Sequence, residues 1–125
     1  MATVLYVDDE DAIRRAVSAW LTRRGHTVYT AGTLGEARDL LASQAIDGAF
    51  IDVWLGDESG LELQDWIEDN RQELSPRIVF VTGDPGAREL AQCSVGKLGH
   101  PVLTKPFELQ ELDAFVRLWM DGSPG

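Results

Sequence analysis

The residues of this chain best suited to chemistry are Asp8 and Asp9, Asp52, Thr82 and Lys105, and each stands at the end of a short apolar run. Asp8 and Asp9 follow Val4-Leu5-Tyr6-Val7, and Asp52 follows Ala49-Phe50-Ile51. Thr82 follows Ile78-Val79-Phe80-Val81, and Lys105 follows Pro101-Val102-Leu103-Thr104. Carboxylates brought close together repel, and a hard divalent cation such as Mg²⁺, which prefers oxygen ligands, relieves that repulsion. A carboxylate is also a nucleophile able to form an aspartyl phosphate, while a metal, a lysine and a hydroxyl neutralise charge on the phosphoryl oxygens. Taken singly, a strand-end aspartate is as readily a turn former or a helix cap. Taken together, the set points to one metal-dependent phosphoryl site with Asp52 as its nucleophile.

Such a site needs the four runs to end on one edge. Short continuous apolar runs bounded by turn signals read as buried parallel strands, whose two faces are covered by helices, and in open parallel sheets ligands bind where the strands end. The intervening segments have helical periodicity. Ile13, Ala16, Val17, Trp20 and Leu21 form one stripe, stopped by Gly25. Residues 27–31 read as a strand, and Thr33 with Glu36 as a capping box opening a helix to about Ser43. Ser59 and Glu62 offer a second box, with Leu63, Trp66, Ile67 and Leu74 on one face of a helix running to about Glu73, closed by Pro76. Gly83-Asp84-Pro85-Gly86 is a turn before a weaker helix over 87–95, and Gly96 and Gly99 break it. Leu109, Leu112, Phe115, Val116 and Trp119 mark a last helix, and residues 121–125 read as a frayed tail or the start of a linker. Five strands alternating with five helices predict an α/β domain with right-handed crossovers: a doubly wound, five-stranded parallel sheet in a three-layer (βα)5 sandwich.

A chain of 125 residues with 44% apolar content fits one domain with a real core. Its formal charge of -10 argues against nonspecific binding to nucleic acid or to an anionic membrane, both of which need positive fields. The single cysteine, Cys93, cannot form an intrachain disulfide and reads as an inert thiol. There is no signal-peptide pattern and no membrane-length apolar run, so the cytoplasm is the expected compartment. Trp20, Trp66 and Trp119 fall on helical stripes and are expected in or near the core, leaving Trp54 as the loop tryptophan. His26 and His100 stand beside strand starts and are expected to be structural or solvent-facing.

Asp8-Asp9-Glu10, Asp52 after an apolar strand, Thr82-Gly83 and Lys105-Pro106-Phe107, with Gly60 eight residues after Asp52, resemble a response-regulator receiver domain of two-component signalling, in the CheY-like superfamily. The resemblance covers essentially the whole chain, with residues 1–120 as the receiver domain and 121–125 as the tail or linker. It implies the flavodoxin-like strand order 2-1-3-4-5. It implies that Asp52 accepts a phosphoryl group from a histidine kinase or phosphotransfer protein, with Mg²⁺ held by Asp9, Asp52 and the Trp54 carbonyl, and with Asp8 reaching the metal mainly through water. By the same resemblance Thr82 and Lys105 bond the phosphoryl oxygens, Lys105 pairing with a carboxylate beforehand, and the Lys105-Pro106 bond is cis. The output is a changed affinity for a downstream protein or domain, with a phosphorylation-dependent homodimer among the forms it takes in such proteins. The chain modifies only itself and is not a turnover enzyme.

Two positions depart from the pattern. Val102 occupies the place where receivers that switch through an aromatic rotamer carry tyrosine or phenylalanine, so the signal is expected to travel by the Thr82 loop, the fourth helix or backbone shifts. Trp54, two residues past Asp52, is by the same resemblance beside the path of the hydrolytic water and predicts slow self-dephosphorylation, which Asp84 opposes if it orients that water. Starting at Met1, the chain reads as having a natural N-terminus, either as a stand-alone receiver or as part of a larger regulator or hybrid kinase. A phosphorylation-independent interaction module is the alternative that Val102 supports. An aspartyl-phosphate phosphatase would place its nucleophile after the first strand with a second aspartate two positions on, and a flavodoxin-like cofactor carrier would need glycine and backbone donors where this chain is acidic.

Overall fold

The computed structural model describes residues 2–83 and 100–121. Three strands, β1 (Thr3–Val7), β3 (Gly48–Asp52) and β6 (Ile78–Thr82), are buried along almost their whole length, as their unbroken apolar runs require. They form the centre of a five-stranded parallel sheet in the order β2-β1-β3-β6-β7, with the half-exposed β2 (Thr27–Ala31) and β7 (Val102–Thr104) at its edges. This is the 2-1-3-4-5 order that the family resemblance implies, with a short hairpin inserted in the chain between the third and fourth strands of the sheet.

Alternation along β1 divides the core. Leu5 and Val7 face one layer, with Ile51, Phe80, Leu41 and Leu63, beneath α2 (Leu34–Ser43) and α3 (Gly60–Asn70). Val4 and Tyr6 face the other, with Phe50, Val17, Leu21 and Val116, beneath α1 (Asp11–Arg23) and α4 (Leu109–Asp121). Of the α1 stripe, Val17 and Leu21 are buried and Ile13 and Trp20 half-buried, whereas Ala16 is exposed. Trp119 is buried against Gly48, where an added β carbon would lie 2.5 Å from its ring; Trp66 is half-buried, and Trp20 carries the Arg24 guanidinium over its ring.

Both predicted caps form, each in a partial version of the box. Thr33 accepts from the Glu36 N–H at 3.1 Å while Glu36 accepts from Gly32, one residue before the cap, and Ser59 accepts from the Leu61 N–H at 3.2 Å. The sequence reading overextended α3. The helix ends at Asn70, and Leu74 is buried from a separate 3₁₀ turn over Gln72–Arg77. Pro76 has no N–H for an α-helical ladder, and Arg71 leaves helical geometry to reach the Leu41 carbonyl and the Glu73 carboxylate. The sequence reading also left residues 54–59 as a loop. They form a small hairpin, β4 (Trp54–Leu55) against β5 (Glu58–Ser59), turned through Gly56 at φ 62°. The helix expected over 87–95, Asp84, Cys93 and the last four residues lie outside the described residues, whereas Asp121 belongs to α4.

The strand-start edge is closed by side chains. The Ala2 N–H donates to His26 Nδ1 at 3.2 Å, leaving Nε2 to meet Asp113 Oδ1 at 3.1 Å, and Arg117 Nε reaches the other Asp113 oxygen. The Thr3 N–H is taken by Asp47 at 2.8 Å. His100 is also buried, and burial lowers its pKa. Both histidines therefore stand at the edge opposite Asp8, Asp9 and Asp52, as expected, and neither is solvent-facing.

Candidate functional site

At the opposite edge the ends of β1, β3, β6 and β7 bring Asp8, Asp9, Asp52, Thr82 and Lys105 to one place. Each of the three carboxylates offers an oxygen within 4.8 Å of the others. Asp9, Glu10, Asp52, Trp54, Gly56, Thr82, Gly83 and Lys105 line an open pocket of about 320 Å³. Asp8 lies beneath it, fully buried.

Lys105 organises the cluster. Its Nζ lies 2.8 Å from Asp52 Oδ2, 2.9 Å from Asp8 Oδ2 and 3.1 Å from Glu10 Oε1, so its three N–H groups have three carboxylate acceptors. Burial alone would lower the lysine pKa, yet Asp52, Asp8 and Glu10 together hold it above its ordinary value. The backbone directs it inward: the Lys105 N–H donates to the Thr82 carbonyl at 2.7 Å, and the Lys105-Pro106 peptide is cis.

Asp52 is 5% exposed. One oxygen accepts from the Trp54 N–H at 3.0 Å and the other faces Lys105. Burial pushes its carboxyl up to about 6 despite those two partners, and the nearby Asp8 adds to the rise. A carboxylate so placed is short of counter-charge, which a cation in the pocket would supply. Asp9 is exposed and accepts from the Gly56 N–H at 3.0 Å, so the unanticipated hairpin fixes the most accessible carboxylate of the set. The donors are all oxygen, the chemistry of a hard divalent cation. Thr82 is buried at the end of β6, and the Trp54 side chain is 43% exposed at the rim.

Sequence reasoning assigned no role to two residues of this site. Glu10 was part of the acidic motif and proves to be the third partner of Lys105. Tyr6 is fully buried and its hydroxyl donates to Asp8 Oδ2 at 2.9 Å; burial and the Asp8 charge push the phenol's pKa up, so it remains a donor. A signal was present, since residues two apart on a strand share a face and Tyr6 is the one polar-tipped residue in its run.

The model of the response regulator receiver domain matches residues 4–117. The chain is 32% identical over 114 residues to the response regulator MprA of Mycolicibacterium vanbaalenii and to that of Mycobacterium avium, covering 91% of this chain and 48% and 49% of theirs. It thus spans about half the length of the curated relatives it matches. Among solved structures, a response regulator receiver protein from Pseudomonas putida superposes with a TM-score of 0.80 at 34% identity, over 93% of this chain and 95% of that one. The response regulator TrrA of Thermotoga maritima, solved in complex with Mg²⁺-BeF, superposes with a TM-score of 0.80 at 26% identity, over 95% and 99%. A CheY-like receiver protein from Methanospirillum hungatei, at 23% identity, shares the fold with a TM-score of 0.84, over 98% and 95%. The parallel sheet, the acidic pocket and these matches agree, and the chain belongs to the response regulator receiver domain family of two-component signalling.

Proposed function

We propose that this chain is a phosphorylation-controlled switch, in which Asp52 takes a phosphoryl group from a histidine kinase or phosphotransfer protein and the product state binds a downstream protein differently. The observation that carries the reading is the approach of Lys105 Nζ to Asp52 Oδ2 at 2.8 Å, at the mouth of a pocket that also contains Asp9 and Thr82. An oxygen of the Asp52 carboxylate attacks phosphorus, the bond from phosphorus to the donor's imidazole nitrogen breaks, and an acyl phosphate and free histidine result. Asp9, Asp52 and the Trp54 carbonyl would hold Mg²⁺, with Asp8 acting through water. The metal's chemistry when bound is neutralisation of phosphoryl charge. The Lys105 ammonium and the Thr82 hydroxyl then bond phosphoryl oxygens. Hydrolysis later returns Asp52 and inorganic phosphate, so the chain acts on itself and does not turn over a separate substrate.

Residues 1–120 are the receiver domain in this reading. Among the described residues no helix is long and apolar enough to cross a membrane. Val102 is half-buried in β7 opposite Phe80, with no ring to swing, which supports a signal carried by the Thr82 loop, the helix expected over 87–95 or backbone shifts. Intact-protein mass after incubation with acetyl phosphate and Mg²⁺ tests the proposal. A phosphoryl adduct absent from Asp52→Asn and from a chelator control is the expected result. Absence of the adduct on the wild type, with metal bound, would leave a phosphorylation-independent interaction module in its place.

A further inference from the structure

We propose that the open edge of β2, beside the arginine-lined flank of α1, is a docking surface for an extended acidic segment of a partner protein, taken up as a further strand of the sheet. The inference goes beyond the receiver reading and needs no phosphoryl group. A groove of about 590 Å³ runs between α1 and β2, lined by Arg14, Arg15, Ser18, Thr22 and Arg23 from the helix and by Thr30 from the strand. It shares no lining residue with the pocket over Asp52.

Charge sets this groove apart. In a chain of net charge -10, three guanidinium groups stand here against one carboxylate, that of Asp11. Arg14 is committed, to the Asp8 carbonyl at 2.6 Å and to Asp11 at 3.1 Å. Arg15 reaches Asp11 at 2.9 Å with its side chain 81% exposed, and Arg23 is exposed with no carboxylate partner among the described residues. An anionic occupant therefore has two accessible cations to meet, together with the hydroxyls of Ser18, Thr22 and Thr30.

The backbone sets the shape of the occupant. β2 pairs only with β1, so its outer side is an edge of the sheet. The Thr27 N–H donates to the Ala2 carbonyl at 2.8 Å, and the Ala31 carbonyl accepts from the Asp8 N–H at 3.0 Å, so the odd-numbered residues of β2 turn toward β1. Successive residues aim their backbone groups to opposite sides, which leaves the N–H and C=O of Val28 and Thr30 at the open edge. A strand added there turns every second side chain toward the α1 layer, the side on which Val28 packs and Thr30 lines the groove. Arg15 and Arg23 are eight residues apart on a helix, about 12 Å along its axis, the length of about four extended residues. Two acidic residues four apart on one strand share a face and fit that interval. A second copy of this chain fits poorly: two β2 edges paired about a twofold axis set one α1 beside the other on the same face, arginines against arginines.

The probe is a capped peptide, Thr-Glu-Thr-Val-Thr-Glu-Thr, titrated to millimolar concentration into ¹⁵N-labelled protein at low salt, with its glutamine-for-glutamate counterpart as control. Saturable shifts and slowed hydrogen exchange are expected at the Val28 and Thr30 amides, while the Thr27, Tyr29 and Ala31 amides, already turned to β1, keep their protection. Affinity is expected to fall about tenfold for the glutamine peptide and for the protein carrying Arg15→Gln with Arg23→Gln. Should that variant fail to fold, the two peptides on wild type decide. No saturable shift, or equal binding of the two peptides, overturns the proposal. So do shifts confined to α1 without protection of Val28 and Thr30, which mark adsorption of an anion, and protection that appears on raising protein concentration alone, which makes a second copy the occupant.

Discussion

Gly60 packs directly on the backbone of Asp52: a β carbon at that glycine would overlap the Asp52 carbonyl oxygen and lie 2.8 Å from Ile51 Cγ2. The contact is reinforced by the Gly60 N–H, which donates to the Val53 carbonyl at 2.7 Å. The start of α3 is thus pressed against the residue at the centre of the site. Gly60→Ala is expected to cost about 1–3 kcal/mol of stability through overpacking and to slow phosphorylation by moving Asp52 relative to Lys105. Chemical denaturation and acetyl-phosphate kinetics check the two effects. A variant of wild-type stability would contradict the close approach.

The titration of Asp52 offers a second check. Its pKa in the folded protein stands at about 6, above that of an unfolded aspartate, so its contribution to stability is fully present at low pH and is lost as pH rises through about 6. In metal-free protein the Asp52 carboxyl carbon in NMR should titrate near that value, and Mg²⁺, which favours the ionised form, should lower it. By linkage, Mg²⁺ affinity falls as pH drops below about 6. A midpoint at or below the ordinary carboxylate value without metal would show that Lys105 outweighs burial.

Trp54 stands at the rim of the pocket with its backbone N–H bound to Asp52 and much of its side chain in solvent. If Asp52 is phosphorylated as proposed, a bulky ring there would obstruct the approach of water to the acyl phosphate. Trp54→Asn is expected to shorten the acyl-phosphate lifetime severalfold, followed by intact mass after removal of the donor. No change in decay would leave the ring as packing or a partner contact.

On the strand-start edge, burial alone would raise the Asp113 carboxyl, but hydrogen bonds from His26 and Arg117 hold it below its ordinary value. The sign is opposite to that of Asp52: this stabilisation is present above the unfolded aspartate pKa and disappears as pH falls through the lower folded value. Asp113→Ala leaves His26 without its partner and is expected to cost about 1–3 kcal/mol in urea unfolding at neutral pH. The cost should shrink in strong acid, and a cost independent of pH would argue that the bond matters only as packing.

The strands were legible because each central one is an unbroken apolar run, and their ends were legible because Asp8, Asp52 and Thr82 interrupt those runs. The α3 boundary was misjudged because Leu74 continues the helical spacing while Pro76 and Arg71 redirect the backbone, and periodicity does not register a lost N–H. The Trp54–Ser59 hairpin was missed because two-residue strands leave no alternation to detect. Tyr6 and the His26–Asp113 bond were hidden for different reasons. A tyrosine in an apolar run resembles any large core residue until its oxygen is placed, and His26 and Asp113 are 87 positions apart, so only the folded packing of α4 joins them.

The two edges of the sheet differ in what they can tolerate. At the strand starts, Ala2, Thr3, His26, Asp47 and Asp113 form closed pairs that leave no charge seeking a partner. At the strand ends, four carboxylates crowd one ammonium. The sheet is in effect an anvil with a loaded tip: apart from the His100 Nε2, which has no hydrogen-bond partner among the described residues, the side chains at its base are paired, whereas the tip holds an excess of negative charge that a newly arriving cation or phosphoryl group would resolve by exchanging partners there.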